Sequence, residues 1–422
     1  MDFYDLVILL AIAMVLAACG RSDSGAGADS TYVDADTAAA VPGAATRTFA
    51  EDLALLQEHA PVQVLKGVGG ARVALSAAYQ GRVMTSAARP EGHSFGWINR
   101  EFIEDGTTGT QFDNYGGEDR FWLGPEGGQY SLYFPPDSAF VFSSWQVPEA
   151  LNEGAWTIRE QSDTSVTFTR SMRPVNYSGT RFEMQVERTV RLLSWDEAAD
   201  HMHIEIPEDL EWVGFETINR VTNIGERAWE KDDGVPSIWI LGMYEPFGTT
   251  YVVLPFEGEN DGEVVNDAYF GEVPLERLAV RDGYILFKCD GEFRSKIGLG
   301  PTRAKSVLGS YNEDEHLLTL VQYNKPADTR EYVNSMWEIQ EEPYAGDVVN
   351  SYNDGPPEPG VPPLGGFYEI ESSSPALQLA PGESYVHIQR TLHLIGDDRA
   401  TLEPVAQGAI GISLSTIADG IQ

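Results

Sequence analysis

Gly116-Gly117-Glu118-Asp119-Arg120-Phe121-Trp122-Leu123-Gly124-Pro125-Glu126-Gly127-Gly128 gathers three acidic groups, one arginine and one tryptophan into thirteen positions. Glycine pairs at its two ends bracket a short apolar strand at residues 121–123. Paired glycines allow tight turns and a close approach of backbone to a ligand. A tryptophan face suits a sugar ring, and carboxylate and guanidinium groups can hold its hydroxyls. The same residues equally suit a buried turn with an internal Asp119–Arg120 pair, so the rest of the chain has to decide.

Outward from this stretch the chain reads as β. Residues 181–193 begin by alternating, with Phe182, Met184 and Val186 on one face and Arg181, Glu183, Gln185 and Glu187 on the other. Residues 201–206, 251–256, 284–287, 316–323, 332–339 and 385–394 read as further strands, separated by turn signals such as Asp-Asp-Gly and Arg-Asp-Gly. After residue 60 no run of ten or more shows a clear 3.6-residue period, and no repeat of fixed length is present. The expectation is one large all-β domain of many antiparallel strands over residues 48–422, and the absence of a repeat argues against a propeller. A short N-terminal helix precedes it. Thr48 and Glu51 make a capping box, and Phe49, Leu53 and Leu56 share one helical face.

The N-terminus reads as a targeting segment over residues 1–18, whose apolar run is too short to span a bilayer. Leu16-Ala17-Ala18-Cys19 resembles a bacterial lipobox, which implies cleavage before Cys19 and acylation of its thiol. The alternative is an ordinary signal peptide with an incidental cysteine. The n-region departs from the pattern, since it carries Asp2 and Asp5 and no basic residue. Residues 19–47, rich in Gly, Ala, Ser, Asp and Thr, are expected to be a flexible tether. A lipidated Cys19 leaves Cys289 without a disulfide partner.

The net charge is −37, with six lysines against sixty-five acids. Such a field excludes nucleic acid and anionic lipid surfaces as partners. Membrane contact is expected through the lipid anchor alone, and the protein is expected to be a monomer.

Several segments together carry a resemblance. They are Ala78-Tyr79-Gln80-Gly81-Arg82-Val83-Met84-Thr85-Ser86, Gly96-Trp97-Ile98-Asn99, the opening stretch, Ser237-Ile238-Trp239-Ile240-Leu241-Gly242-Met243, residues 346–356 and residues 367–375. In these the chain resembles an uncharacterised family of secreted bacterial lipoproteins, over nearly all of residues 48–398. That family in turn is similar to the galactose-mutarotase-like (aldose 1-epimerase-like) group. The resemblance implies a large antiparallel β-supersandwich that binds carbohydrate, an oligosaccharide or polysaccharide. Epimerases of the group open the sugar ring with a histidine acid and a glutamate base. Here the region after Thr222-Asn223 holds Trp239, and no histidine lies between His203 and His316. Glu369 or Glu371 falls about where the base is expected.

Four constellations carry chemistry. Glu369 and Glu371, two apart on an expected strand, face one way with about 6–7 Å between their backbones, a spacing that suits acid–base work on a glycosidic bond or a solvated strand face. With Arg120 they form the candidate catalytic set. Glu118, Asp119, Trp122, Glu126, Trp239, Asn350, Asn353 and Asp354 form the candidate ligand-binding set, with Trp122 and Trp239 as stacking platforms. Asp347, Asn350 and Asp354 lie in a segment read as irregular and offer oxygens to calcium, or cap their own backbone; no other cofactor is expected. His201, His203 and Glu205 alternate on an expected strand face, as a metal set or as its polar side. His387 and His393 share a face about 20 Å apart and cannot ligate one ion.

Three functions stay open at this point. The first is a lipid-anchored carbohydrate-binding protein of the bacterial cell envelope, held at the outer membrane because Gly20 rather than aspartate follows the cysteine. The second is a carbohydrate-active enzyme (hydrolase, lyase or epimerase) working through Glu369 or Glu371. The third is a structural surface lipoprotein.

Overall fold

Two antiparallel sheets lie face to face and set the architecture. A computed structural model describes residues 47–207, 210–259, 263–357 and 360–421, which fall within one compact unit. The expected signal segment, Cys19 and all of the tether but Arg47 lie outside the described residues.

The larger sheet has ten strands. Its centre is the pair Glu211–Asn223 and Ser384–Ile395, in register from Thr222 opposite Ser384 to Glu211 opposite Ile395. On one side follow Met184–Leu192, Ser165–Met172 and Thr157–Gln161; on the other, Leu317–Tyr323, Val307–Asn312, Thr250–Pro255, Tyr284–Cys289 and Leu278–Arg281. The smaller sheet has five strands, here β1 (Arg120–Gly124), β2 (Ser237–Tyr244), β3 (Ser295–Leu299), β4 (Val349–Asn353) and β5 (Tyr368–Ser373), in the spatial order β3-β4-β5-β2-β1. All its pairings are antiparallel. A separate three-stranded sheet, Gln63–Lys66, Arg72–Ser76 and Arg82–Ala87, carries the N-terminal helix Phe49–His59. The all-β supersandwich expected from the sequence is the fold observed.

The core follows from strand alternation. Phe121 and Leu123 of β1 with Ile238 and Ile240 of β2 pack into one apolar cluster with Val186, Val190, Val213 and Phe215 of the large sheet. Ile297, Val349 and Ile370 of the small sheet join Val252, Leu254, Leu308 and Val321 in a second. Each fully buried side chain of this kind contributes about 1.5–3 kcal/mol. Arg188 breaks the pattern, for it occupies the buried stripe of Met184–Leu192 between Val186 and Val190 and is fully buried. Its Nη2 meets the Asp119 carboxylate at 2.5 Å, and its Nη1 meets Asn219 Oδ1 at 2.6 Å. Asp119 also accepts from Thr217 and Gln389 across the sandwich, each at 3.2 Å.

The N-terminal helix is capped as expected, with Thr48 and Glu51 exchanging hydrogen bonds, and it buries Phe49, Leu55 and Leu56. Cys289 is a buried free thiol, and burial raises its pKa.

Four expectations need correction. Residues 201–206 are no strand: Ser194 and Glu197 form a capping box that starts the helix Trp195–Met202, and His203 is its left-handed cap at φ 55°. His201, His203 and Glu205 therefore do not share a strand face. Residues 332–339 turn instead of extending, because Asn334 Oδ1 accepts from Met336 N in a side-chain turn. Residues 347–354 are not irregular, since most of them form β4 inside the small sheet. Finally, Arg399–Ile410 is a twelve-residue helix. Its buried Leu402, Val405, Ala406 and Ile410 do follow helical spacing, but Pro404 and Gly408 within it read as breakers. With Leu414–Ala418 it covers the outer face of the large sheet.

Candidate functional site

The face of the small sheet turned away from the large one carries an uncommon set of side chains. Register places Arg120 opposite Leu241, Leu241 opposite Glu371, and Glu371 opposite Asn350. One step along, Met243 faces Glu369, Glu369 faces Tyr352, and Tyr352 faces Lys296. Trp122 and Trp239 are direct partners. Because side chains alternate along strands, these residues share one face.

Over this face lies a cavity of about 80 Å³. Its walls include Arg120, Trp122, Glu126, Trp239, Lys296 and Glu369, together with Trp145, Arg294 and Trp337. Phe142 and Leu364, 42 % and 36 % exposed, stand at its mouth. Met243, Tyr352 and Phe367 also line it and form a small apolar cluster with Trp97.

Two ion pairs organise the floor. Arg120 Nη2 donates to Glu369 Oε1 at 2.6 Å, while its guanidinium carbon lies 4.2 Å from the centre of the Trp122 ring. Lys296 Nζ donates to both oxygens of Glu371 at 2.9 and 2.8 Å and lies 4.8 Å from the Trp239 ring centre. The Trp239 indole N–H donates to Glu371 Oε2 at 2.8 Å. Trp122 and Trp239 meet edge to face at 5.6 Å. Burial pushes the Glu369 carboxyl up to about 8 against the opposing pull of Arg120. Burial also raises Glu126, opposed by Lys296.

The structure thus brings together Arg120, Trp122, Glu126, Trp239 and Glu369 at one cavity. Glu371 lies behind it, fully buried and joined to the wall through Lys296 and Trp239. Glu118 and Asp119 point the other way. Asp119 is the partner of Arg188, and Glu118 Oε2 accepts from Ser86 N at 3.1 Å with His393 Nε2 at 3.8 Å. Burial pushes Glu118 up to about 8 and holds His387 and His393 down near 3, and both rings are buried away from the cavity.

The polar residues of β4, and Asp347 and Asp354 flanking it, serve neighbouring segments. Asp347 accepts from Tyr269 Oη at 2.6 Å and from Asn266 at 3.0 Å, and Asn350 donates to Tyr269 Oη and Ile297 O. Asn353 Oδ1 accepts from Gly291 N at 2.9 Å. Asp354 Oδ2 accepts from Gly365 N and Gly366 N, both at 2.8 Å, and so holds the loop that presents Leu364 at the cavity mouth. Among the described residues no group of three or more His, Cys, Asp or Glu side chains is arranged to hold a metal.

The glycines of the opening stretch permit close approach, though to the protein's own backbone. Gly116, at φ 83°, sits where a Cβ would overlap the Trp97 carbonyl oxygen. A Cβ at Gly127 would overlap Met336 O, beside the turn that delivers Trp337 to the cavity. Sequence reasoning did not select Lys296 or Arg294. The available signal was scarcity: Lys296 is one of six lysines and lies in an apolar strand.

No curated protein sequence matches the chain. Among solved structures it is similar to a galactose mutarotase-like protein from Lactobacillus casei, at 12 % identity and TM-score 0.46 over 79 % of this chain and all of that one. It is similar to the Slr1438 protein from Synechocystis, at 12 % identity and TM-score 0.46 over 79 % of this chain and 96 % of that one. A galactose mutarotase related enzyme from Lactobacillus acidophilus gives 10 % identity and TM-score 0.42 over 80 % of this chain and 98 % of that one. Residues 47–421 match the model of a family of unknown function, DUF6786, and the chain belongs to that family.

Proposed function

We propose that this protein binds carbohydrate in the cavity on the outer face of the small sheet. The observation that carries the reading is the meeting of Trp122, Trp145, Trp239 and Trp337 with Arg120, Glu126 and Glu369 around one space. Indole faces take up the C–H face of a sugar ring, and the charged groups hold its hydroxyls by charge-assisted hydrogen bonds. Arg120, stacked on Trp122 and bonded to Glu369, is already oriented for that role. Glu371 acts as a positioning residue, fixing Lys296 and Trp239. Titration of the full-length protein with a panel of neutral and acidic oligosaccharides, read by calorimetry, tests this. Saturable binding that weakens at least tenfold in Trp122→Ala is expected; a panel without binding would sink the reading.

The Glu369 carboxyl supports a second reading, as a carbohydrate-active enzyme. A carboxyl that stays protonated at neutral pH beside a sugar site can give its proton to a glycosidic or ring oxygen. Glu369 would be the acid, since burial raises its carboxyl against the pull of Arg120. Product analysis after incubation with the same glycans separates the two readings. Turnover lost in Glu369→Gln, with binding retained, supports the enzyme; binding without any product supports a binding protein.

Cellular placement rests on Leu16-Ala17-Ala18-Cys19 alone. The proposed lipid anchor at the outer membrane predicts fatty-acid label in the wild type and none in Cys19→Ala. Equal labelling of both would contradict it.

A further inference from the structure

The cavity holds guanidinium donors that the fold leaves unspent. Arg120 is 5 % exposed, and its Nη2 is committed to Glu369. Its Nε and Nη1 are buried and have no hydrogen-bond partner among the described residues. A buried donor without a partner costs about 1–3 kcal/mol, and native structures keep few of them. Arg294, half-buried at the same cavity, lies with its guanidinium carbon 3.7 Å from the Phe270 ring centre and has no ion pair among the described residues.

The local charge points the same way. Lys296 is balanced by Glu371. Glu369 takes one nitrogen of Arg120, which leaves the other two without a hydrogen-bond partner among the described residues. The chain has only 28 Lys and Arg residues against 65 acids, yet Arg120, Arg294 and Lys296 all meet here. Two carboxylates, Glu126 and Glu369, share the pocket with these three cations and Glu371 lies behind it, and Arg294 is the cation left without an ion pair among the described residues. Guanidinium groups pair best with oxyanions.

We propose that the sugar taken by this cavity is an acidic one, a hexuronate unit whose carboxylate meets the free nitrogens of Arg120 with Arg294 alongside. This rests on the reading of the cavity as a sugar site. A space of about 80 Å³ admits the acidic end of a single ring, leaving the remainder of the glycan at the mouth between Phe142 and Leu364.

The test is calorimetric titration of the full-length protein with oligomers of galacturonate, glucuronate and mannuronate, each beside its neutral hexose counterpart and a 6-O-sulfated form. At least one uronate oligomer should bind ten times more tightly than its neutral counterpart. Arg120→Gln should bring the uronate and neutral affinities of that pair to within about twofold of each other. Arg294→Gln, at a less buried position, should reduce the preference even if Arg120→Gln fails to fold. Equal affinity for uronate and neutral forms overturns the proposal and leaves the sugar-site reading standing. Tighter binding of the sulfated form overturns the assignment to a carboxylate. Absence of binding to every oligomer overturns both readings.

Discussion

The Lys296 ammonium bridges both oxygens of Glu371, at 2.9 and 2.8 Å, and the Glu371 side chain is fully buried. Removing one member of a buried pair leaves an uncompensated charge, at a cost of about 3–5 kcal/mol, whereas replacing both with apolar groups is often near neutral. Lys296→Met should therefore lower the urea midpoint sharply, and Lys296→Met with Glu371→Leu should recover most of it. Sugar affinity should not recover in the double variant, because Trp239 then loses the carboxylate that orients its indole.

Arg188 and Asp119 form the corresponding pair inside the sandwich, both with fully buried side chains at 2.5 Å. Arg188→Met should destabilise the fold by about 3–5 kcal/mol in chemical denaturation. The loss should appear in stability and not in the sugar affinity of the remaining folded protein, since neither residue lines the cavity. An unchanged denaturation midpoint would show that this pair does not hold the two sheets.

Glu118 makes stability depend on pH. Burial raises its carboxyl from 4.5 in the unfolded chain to about 8 in the fold. The sign follows: its protonated form supports the fold fully below pH 4.5, and that support fades as pH rises toward 8, by an amount on the order of a few kcal/mol. Glu118→Gln, which mimics the protonated carboxyl, should lose less stability than the wild type between pH 5 and pH 8. Thermal unfolding of both proteins across that range checks this; parallel curves would contradict it.

The fold was legible where burial alternates along a strand, as in residues 184–192, and where turn signals separate continuous apolar runs such as residues 237–244. The irregularities hid where local chemistry overrode the apolar pattern. The Ser194–Glu197 capping box turned an apparent strand into a helix, and Pro404 and Gly408 disguised a helix that tertiary packing stabilises. At the site, Arg120, Trp122, Glu126, Trp239 and Glu369 were readable from residue type beside glycines or in carboxylate pairs. The direction in which Glu118 and Asp119 point was not, because it depends on Ser86 for Glu118 and on Arg188, sixty-nine positions away, for Asp119. Lys296 enters the cavity only through strand pairing with residues far along the chain, which local sequence does not report.

A sugar seated in the tryptophan-lined cavity should alter the tryptophan fluorescence of the full-length protein, read by titration with the oligosaccharide panel, wild type beside Trp239→Phe. A saturable change for at least one glycan, with affinity at least tenfold weaker in the variant, is the result this account predicts. No saturable change for any glycan, or equal affinity in the two proteins, would contradict it.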